Sequence, residues 1–413
     1  MSSLSISLAY LSLLLFSFIN CTDPHRQEDE GVYTEYSLLS SNCEIKRFRY
    51  NGKETKPIII LQNSPYSYFL PDDINPKESQ TAQFIEDKLI NINSDVYRAD
   101  EYKDSLKFPK LEHLFKDFHF YVLNSANTKL PSKQGIGFAF KMKGEDYSLV
   151  HHLYNTKVIK KISYTLKPSS FLEGKLYFGE VPVNKFARPK ITGICKVDEK
   201  FSTWGCHMNK IILENSTNVV YSYNNYSSFQ INKKIATTPC SFVYFVKEKL
   251  IPKEFSSGEC KIVKENLKIT IECLEFSTIL KFPTIHIIFD EFKIIRRLRD
   301  MFVCYKDRNC YSLFKCYEGM EQWTFGNSFM QDFVATFDYN DKTVELYTRS
   351  LGNDIMVDLT EDERKIETKE ALPKTETDNS SVQLTILFII MTLTGLMLFN
   401  NLYISYISKT ILE

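Results

Sequence analysis

From about residue 46 to 350 the chain alternates short apolar runs with turn residues. Segments such as "KPIIILQ", "FHFYVL", "ISYTLKP", "GKLYFGEV", "NKIILEN", "LKITIECLEF" and "FPTIHIIF" are rich in Ile, Val, Tyr and Phe. Their length and period predict β-strands. The stretch "PIIILQNSPYSYFLP" at 57–71 reads as strand, polar turn and aromatic strand. Two segments carry a helical period instead, "SLVHHLYNTKVI" and "FPKLEHLFKDF". Residues 22–45 form a polar leader with no clear element. Residues 353–381, charged and free of aromatics, read as a solvated stalk.

Both ends break this pattern. Residues 1–21 hold an apolar core of signal-peptide length, with cleavage expected near Cys21. Residues 382–407 carry no charge and are long enough for a transmembrane helix, leaving 408–413 as a cytosolic tail. The expected topology is a type I membrane protein. A lipid-anchor signal competes, because Asn379, Ser380 and Ser381 are small or polar. That reading lacks a polar spacer, and the chain ends in "SKTILE".

Composition adds compartment and narrows partners. The formal net charge is zero, so there is no electrostatic footprint for nucleic acid. Cys195, Cys206, Cys240, Cys260, Cys273, Cys304, Cys310 and Cys316 crowd the second half, with Cys43 alone earlier. In a secreted chain these are disulfide candidates, and an odd number leaves one thiol over, for which Cys43 is the candidate. Asn215, Asn225 and Asn379 head glycosylation sequons. No C-x-x-C, H-E-x-x-H, G-x-S-x-G or phosphate loop occurs, so neither metal nor cofactor is expected.

Two stretches then carry a specific resemblance. In "QWTFGNSFMQDFVATFDYNDKTVELY", Trp323, Gly326, Phe329, Met330, Phe333, Phe337, Asp338 and Val344 fall in register with the last strand-helix-strand region of pepsin-like aspartic proteases. Around 135–182, Gly135, Ile136, Gly137, Ser148, Leu149, Val150, Leu153, Ile159, Gly174, Leu176, Phe178 and Gly179 resemble that family's D-G-I-L-G-L-G turn, S-L-V-x-x-L helix and G-x-L-x-F-G-G hairpin. "STWGCHMNKIIL" around Trp204 resembles the strand that follows.

The resemblance implies a mainly β, bilobal pepsin-like (acid protease) fold, followed by the C-terminal transmembrane helix. The N-terminal lobe would span 46–182 and the C-terminal lobe 183–352. Each lobe of the family contributes one aspartate from a D-T/S-G turn, and the pair shares one proton. No Asp-Thr-Gly or Asp-Ser-Gly occurs in this chain. In register, Gln62 stands at the first aspartate, with Asn63 and Ser64 after it. Thr237 is placed at the second, with Thr238 and Pro239 following. An amide and a hydroxyl do not replace the dyad. The flap tip is expected at Pro76, Lys77, Glu78 and Ser79, with the first flap strand largely deleted. The resemblance also suggests a bridge from Cys273 to one of Cys304, Cys310 or Cys316, and Cys195 with Cys206 would clip a hairpin.

Some residues admit sharper readings. Cys240 is a possible nucleophile if His113, His151, His152 or His286 lies beside it; a disulfide or inert thiol is the simpler account. The run Arg296, Arg297 and Arg299 would suit an acidic partner or a solvated strand end. The tyrosines of "VVYSYNNYSSF" would suit a binding face or a glycosylated edge. The function expected is that of a membrane-anchored pseudoprotease on the secretory route, lumenal or extracellular, that binds a protein or peptide ligand. The alternatives are an active aspartic endopeptidase with misregistered turns, and a structural ectodomain with a collapsed cleft.

Overall fold

The computed structural model describes residues 32–37, 43–45, 48–92, 95–108, 111, 115–127, 129–142, 144, 147–169, 173–181, 192–214, 216–305, 309–348 and 356–358. The expected signal segment 1–21, the apolar segment 382–407, most of the stalk, and Asn215, Asn379 and His113 lie outside them. Among the described residues no helix is long and apolar enough to cross a membrane.

Two large β-sheets make up the fold. Six strands at one end of the first sheet form an antiparallel floor: Thr192–Lys196, Thr343–Thr348, Phe333–Asp338, Ser163–Pro168, Glu173–Phe178 and Tyr33–Ser37. This floor takes strands from both sides of the expected boundary at 182/183. The two halves therefore share a sheet. It also corrects the reading of 22–45 as a leader without elements. Tyr33 and Tyr36 are buried there, and Tyr33 packs 5.4 Å from Tyr177 on the neighbouring strand. The stalk likewise begins later than expected, because Met356–Asp358 pairs with Phe292–Arg297.

Aromatic packing holds the floor to both halves. Tyr164 stacks on Phe337 with ring centroids 4.8 Å apart, and Trp204 lies edge-on to Tyr339 at 4.7 Å. The indole of Trp204 donates to the Phe138 carbonyl at 2.7 Å. Such rings bury much area while their polar tips find partners.

The helix expected at 148–159 forms as Leu149–Asn155. Ser148 caps it, and Leu149, Val150 and Leu153 face the core. The second expected helix does not form where it is described: Phe115–Leu123 is a strand with Phe115, Phe118 and Phe120 buried. A short apolar run fits either period, and pairing with Asp95–Leu106 decides it. The flap expectation is also corrected. Pro76–Glu78 is a short 3-10 turn, and Gln83–Ile92 pairs with Asp95–Leu106 as a complete hairpin around 93–94.

Four disulfides form: Cys195–Cys206, Cys240–Cys316, Cys260–Cys273 and Cys304–Cys310. Cys43 is free and buried. The partner expected for Cys273 is corrected, because the hairpin Cys260–Glu265/Lys268–Cys273 sets Cys260 directly opposite it. Cys310 stands opposite Cys273 on the other side, and opposite Cys304 in turn. Four cysteines thus line up across four strands, and the two outer pairs bond.

Truncating Trp204 would leave a large cavity and free the Phe138 carbonyl. Trp204→Ala is expected to cost about 3–5 kcal/mol. Urea unfolding checks this, and an unchanged midpoint would show that the floor does not depend on the indole.

Candidate functional site

The two halves repeat one local plan. In the first, Ile58–Leu61 runs parallel to Gly135–Gly137, and Gly135 also faces Tyr68 antiparallel. In the second, the end of Ser216–Phe229 runs parallel to Trp323–Phe325, and Thr324 faces Thr237 antiparallel. Tyr68–Phe69 pairs parallel with Tyr121 and Val122, as Ala236–Thr237 does with Phe314 and Lys315.

Corresponding hydrogen bonds within each half show which residues of the two turns match. Ser64 N–H donates to the Leu61 carbonyl at 3.2 Å, and Lys233 N–H to that of Gln230 at 3.0 Å. Gly137 lies where a Cβ would meet the Ser64 carbonyl oxygen at 2.6 Å. Gly326 lies where one would meet those of Ile235 and Lys233 at 2.6 and 2.8 Å. Both glycines are required by this close approach to a turn. Matching Leu61 to Gln230 and Ser64 to Lys233 sets Gln62 against Ile231.

This corrects the expected second position. Thr237 lies six residues beyond Ile231, in the strand that matches Tyr68, not in the turn. The residues after it shift accordingly, and Pro239 becomes the N-cap of the helix Cys240–Phe245. Nothing acidic enters either turn, which read Gln62-Asn63-Ser64 and Ile231-Asn232-Lys233.

Gln62 is fully buried and joins the halves. Its Oε1 accepts the backbone N–H of Ile231 at 2.7 Å. Its Nε2 donates to the Tyr164 hydroxyl at 3.2 Å, on the floor. Burial is the main cause that pushes the Tyr164 hydroxyl well above its ordinary range, so it stays neutral. Ile231 itself is buried. The arrangement is a neutral bridge, with neither a second titratable group nor a water nucleophile's base.

A buried carboxylate that sequence reading missed lies beside the first turn. Glu101 receives the Tyr147 and Tyr121 hydroxyls at 2.7 and 3.1 Å, and faces His119 Nδ1 at 3.2 Å and Lys88 Nζ at 3.8 Å. Tyr121 stacks on Tyr147 at 5.8 Å and meets the ring of Tyr66 edge-on at 5.4 Å. Burial works against the charged form of Glu101. The hydrogen bonds from Tyr147, His119 and Tyr121, with the Lys88 charge, outweigh it and hold the carboxyl below its ordinary range. These partners come from three separate segments, so no spacing along the chain announces them.

Other candidates resolve into structure. Cys240 is bonded to Cys316 and has no thiol to react. His151 packs on Tyr339 and faces the Ser148 hydroxyl at 2.8 Å, and His152 packs against Phe115 and Phe118. His286 lies 4.0 Å from Glu214. Arg296 pairs with Asp332 at 2.8 Å, Arg297 with Asp300 at 2.9 Å and Arg299 with Asp300 at 3.6 Å, so each arginine faces an aspartate and two of them share Asp300. The tyrosine-rich segment is an interior strand with Tyr221 and Tyr226 buried, while Asn225 is exposed on it. Among the described residues no cluster of His, Cys, Asp and Glu is arranged to hold a metal.

Two sheets with a repeated turn and a shared floor define the bilobal architecture of the aspartic proteinases. A family model described as eukaryotic aspartyl protease matches residues 118–348, more than half of the chain, which therefore belongs to that family. The fold is similar to that in the crystal structure of aspartic proteinase from Irpex lacteus. That match has a TM-score of 0.61 and 12% identity, covering 77% of this chain and 97% of that one. No curated protein matches the sequence.

Two outcomes test these contacts. Gln62→Leu strands the Ile231 N–H and the Tyr164 hydroxyl in the interior and is expected to cost about 1–3 kcal/mol in denaturant unfolding. An unaltered midpoint would mean the bridge contributes nothing. Glu101, with its folded pKa lowered, contributes stability that is present above the unfolded glutamate range and is lost as pH falls through the folded value. Thermal midpoints should therefore drop on acidification, and Glu101→Gln should flatten that part of the profile. An identical profile for the variant would show that Glu101 does not set it.

Proposed function

We propose that this chain is a membrane-anchored member of the aspartyl protease family that does not cleave peptides. It acts by binding a protein or peptide ligand, as a receptor, adhesion molecule or chaperone-like binder. The observation that carries this reading is the bridge from Gln62 to Ile231. The family's chemistry needs two adjacent carboxylates sharing a proton; on the reading that the turns at Gln62 and Ile231 are where they would stand, an amide meets a backbone N–H there instead.

The endopeptidase alternative rests on misregistered turns. Moving the second turn from Thr237 to Ile231 does correct a register, yet it still brings in no acid. The buried carboxylate beside the first turn, Glu101, has tyrosines, a histidine and a lysine as partners. The collapsed-cleft reading draws support from the same bridge. With both polar atoms of Gln62 engaged, that side chain offers nothing further to a ligand. Partner binding is thus assigned to the outer surface.

The four disulfides fit an oxidising, secretory compartment. The uncharged segment 382–407 would anchor the chain, with 22–380 lumenal or extracellular and Asn215, Asn225 and Asn379 open to glycosylation.

The purified chain, incubated with mixed peptides from acid to neutral pH, should give no pepstatin-sensitive cleavage. Such cleavage would overturn the non-proteolytic reading. Anchoring is checked separately: the chain should resist alkaline carbonate extraction from membranes, and removal of 382–407 should release it into the medium.

A further inference from the structure

Four of the five exposed large apolar side chains described in the first half gather on one hairpin. Phe84, Ile85, Leu89 and Val96 are 58, 45, 68 and 62% exposed. Three of them stand on Gln83–Ile92, the last strand of the 13-stranded sheet. One side of that strand pairs with Asp95–Leu106. Among the described residues nothing pairs with the other side, and Gln83 to Asp87 are all exposed.

An open edge of this kind is a template for another strand. Edges are commonly guarded by a lysine or a bulge. Here the bulge falls near the start, between Phe84 and Glu86, and leaves the run from Glu86 to Ile92 regular. Lys88 does not guard the edge, because its ammonium turns to Glu86 on its own strand and to the buried Glu101.

We propose that Gln83–Ile92 pairs antiparallel with the same strand of a second copy, about a two-fold axis at Asp87. The order of charges selects both the partner and the register. With Asp87 facing its own copy, Glu86 of each chain faces Lys88 of the other. Beyond that pair the bulge between Phe84 and Glu86 interrupts the regular register. Each Asp87 is already neutralised by its own Arg98, whose Nε lies 2.7 Å away. Facing residues share a face of the sheet, so the neighbouring registers differ by moving the axis one residue. With the axis at Lys88, Glu86 would face Ile90 and Asp87 would face Leu89; with it at Glu86, Lys88 would meet the bulge, so neither forms the Glu86–Lys88 pair. Such a dimer does not depend on whether the chain cleaves peptides.

A cysteine on the axis reads the register directly. Facing Cα atoms of an antiparallel pair are about 4.5–5.5 Å apart, within disulfide reach. The full chain carrying Asp87→Cys should form a disulfide-linked dimer under mild oxidation, and Lys200→Cys, exposed in the other half, should not. Adding Glu86→Lys to Asp87→Cys sets a lysine against Lys88 of the other copy and should reduce the linked fraction at least tenfold. Absence of the Asp87→Cys dimer, or a dimer indifferent to Glu86→Lys, overturns the proposal. The unmodified chain gives an independent reading: light scattering should report two copies, and a monomer at micromolar concentration also overturns it.

Discussion

A primary amide buried in a protein interior must find both a donor and an acceptor, because an unmet polar atom there costs more than a made bond returns. Gln62 meets that demand across the whole molecule. Its oxygen takes the Ile231 N–H from the second half, and its nitrogen reaches Tyr164 on the floor. Everything around it is arranged to keep those atoms in place. Gly137 lets the strand Gly135–Gly137 pass against the first turn, Gly326 does the same for the second, and aromatic rings fix Tyr164 from below. Two carboxylates at this spot would repel and would need a shared proton. A neutral amide needs neither, so the junction is stable without titrating.

The shared floor explains why the two halves form one unit up to Asp358. Strands near the end of the described chain, Phe333–Asp338 and Thr343–Thr348, lie between Ser163–Pro168 and Thr192–Lys196. Removing either half would expose a sheet edge and the rings of Tyr164, Trp204 and Phe337. The disulfides act more locally. Three of the four close loops of 6 to 13 residues, while Cys240–Cys316 spans 76 and ties the helix Cys240–Phe245 to the strand Phe314–Tyr317. Long-range order in the second half therefore depends more on packing than on cross-links.

Much of this architecture is legible in the residues alone. The register from Trp323 to Val344 marks the closing strands, and Ser148 with its apolar residues three and four apart marks the helix. The first turn follows from the apolar run before Gln62 and the aromatic one after it. The family resemblance puts the second turn at Thr237, six residues beyond the residue that strand pairing matches to Gln62. "ATTPCSF" has the small and hydroxyl residues of a turn, whereas the matched residue, Ile231, is apolar and looks like more strand. Counting back from Gly326 by the same pairing that links Gly137 to Ser64 finds it, but that pairing is a tertiary fact. The strand Tyr33–Ser37 escapes a local reading because "YTEYS" is short and polar. It is a strand because Glu173–Phe178 offers it an edge.

By itself the sequence determined the class of fold, the absence of any Asp-Thr-Gly or Asp-Ser-Gly, the single cysteine left over and the presence of a helix within 148–159. These depend on residue identity or on local period, which neighbours along the chain already express. Tertiary structure alone decided that Ile231 faces Gln62, that Cys260 and not a distant cysteine bonds Cys273, and that Glu101 sits charged among Tyr121, Tyr147, His119 and Lys88. Each of those depends on which backbone passes within about 3 Å of which side chain. Such proximity is set by strand register across the fold, and spacing along the chain carries no record of it.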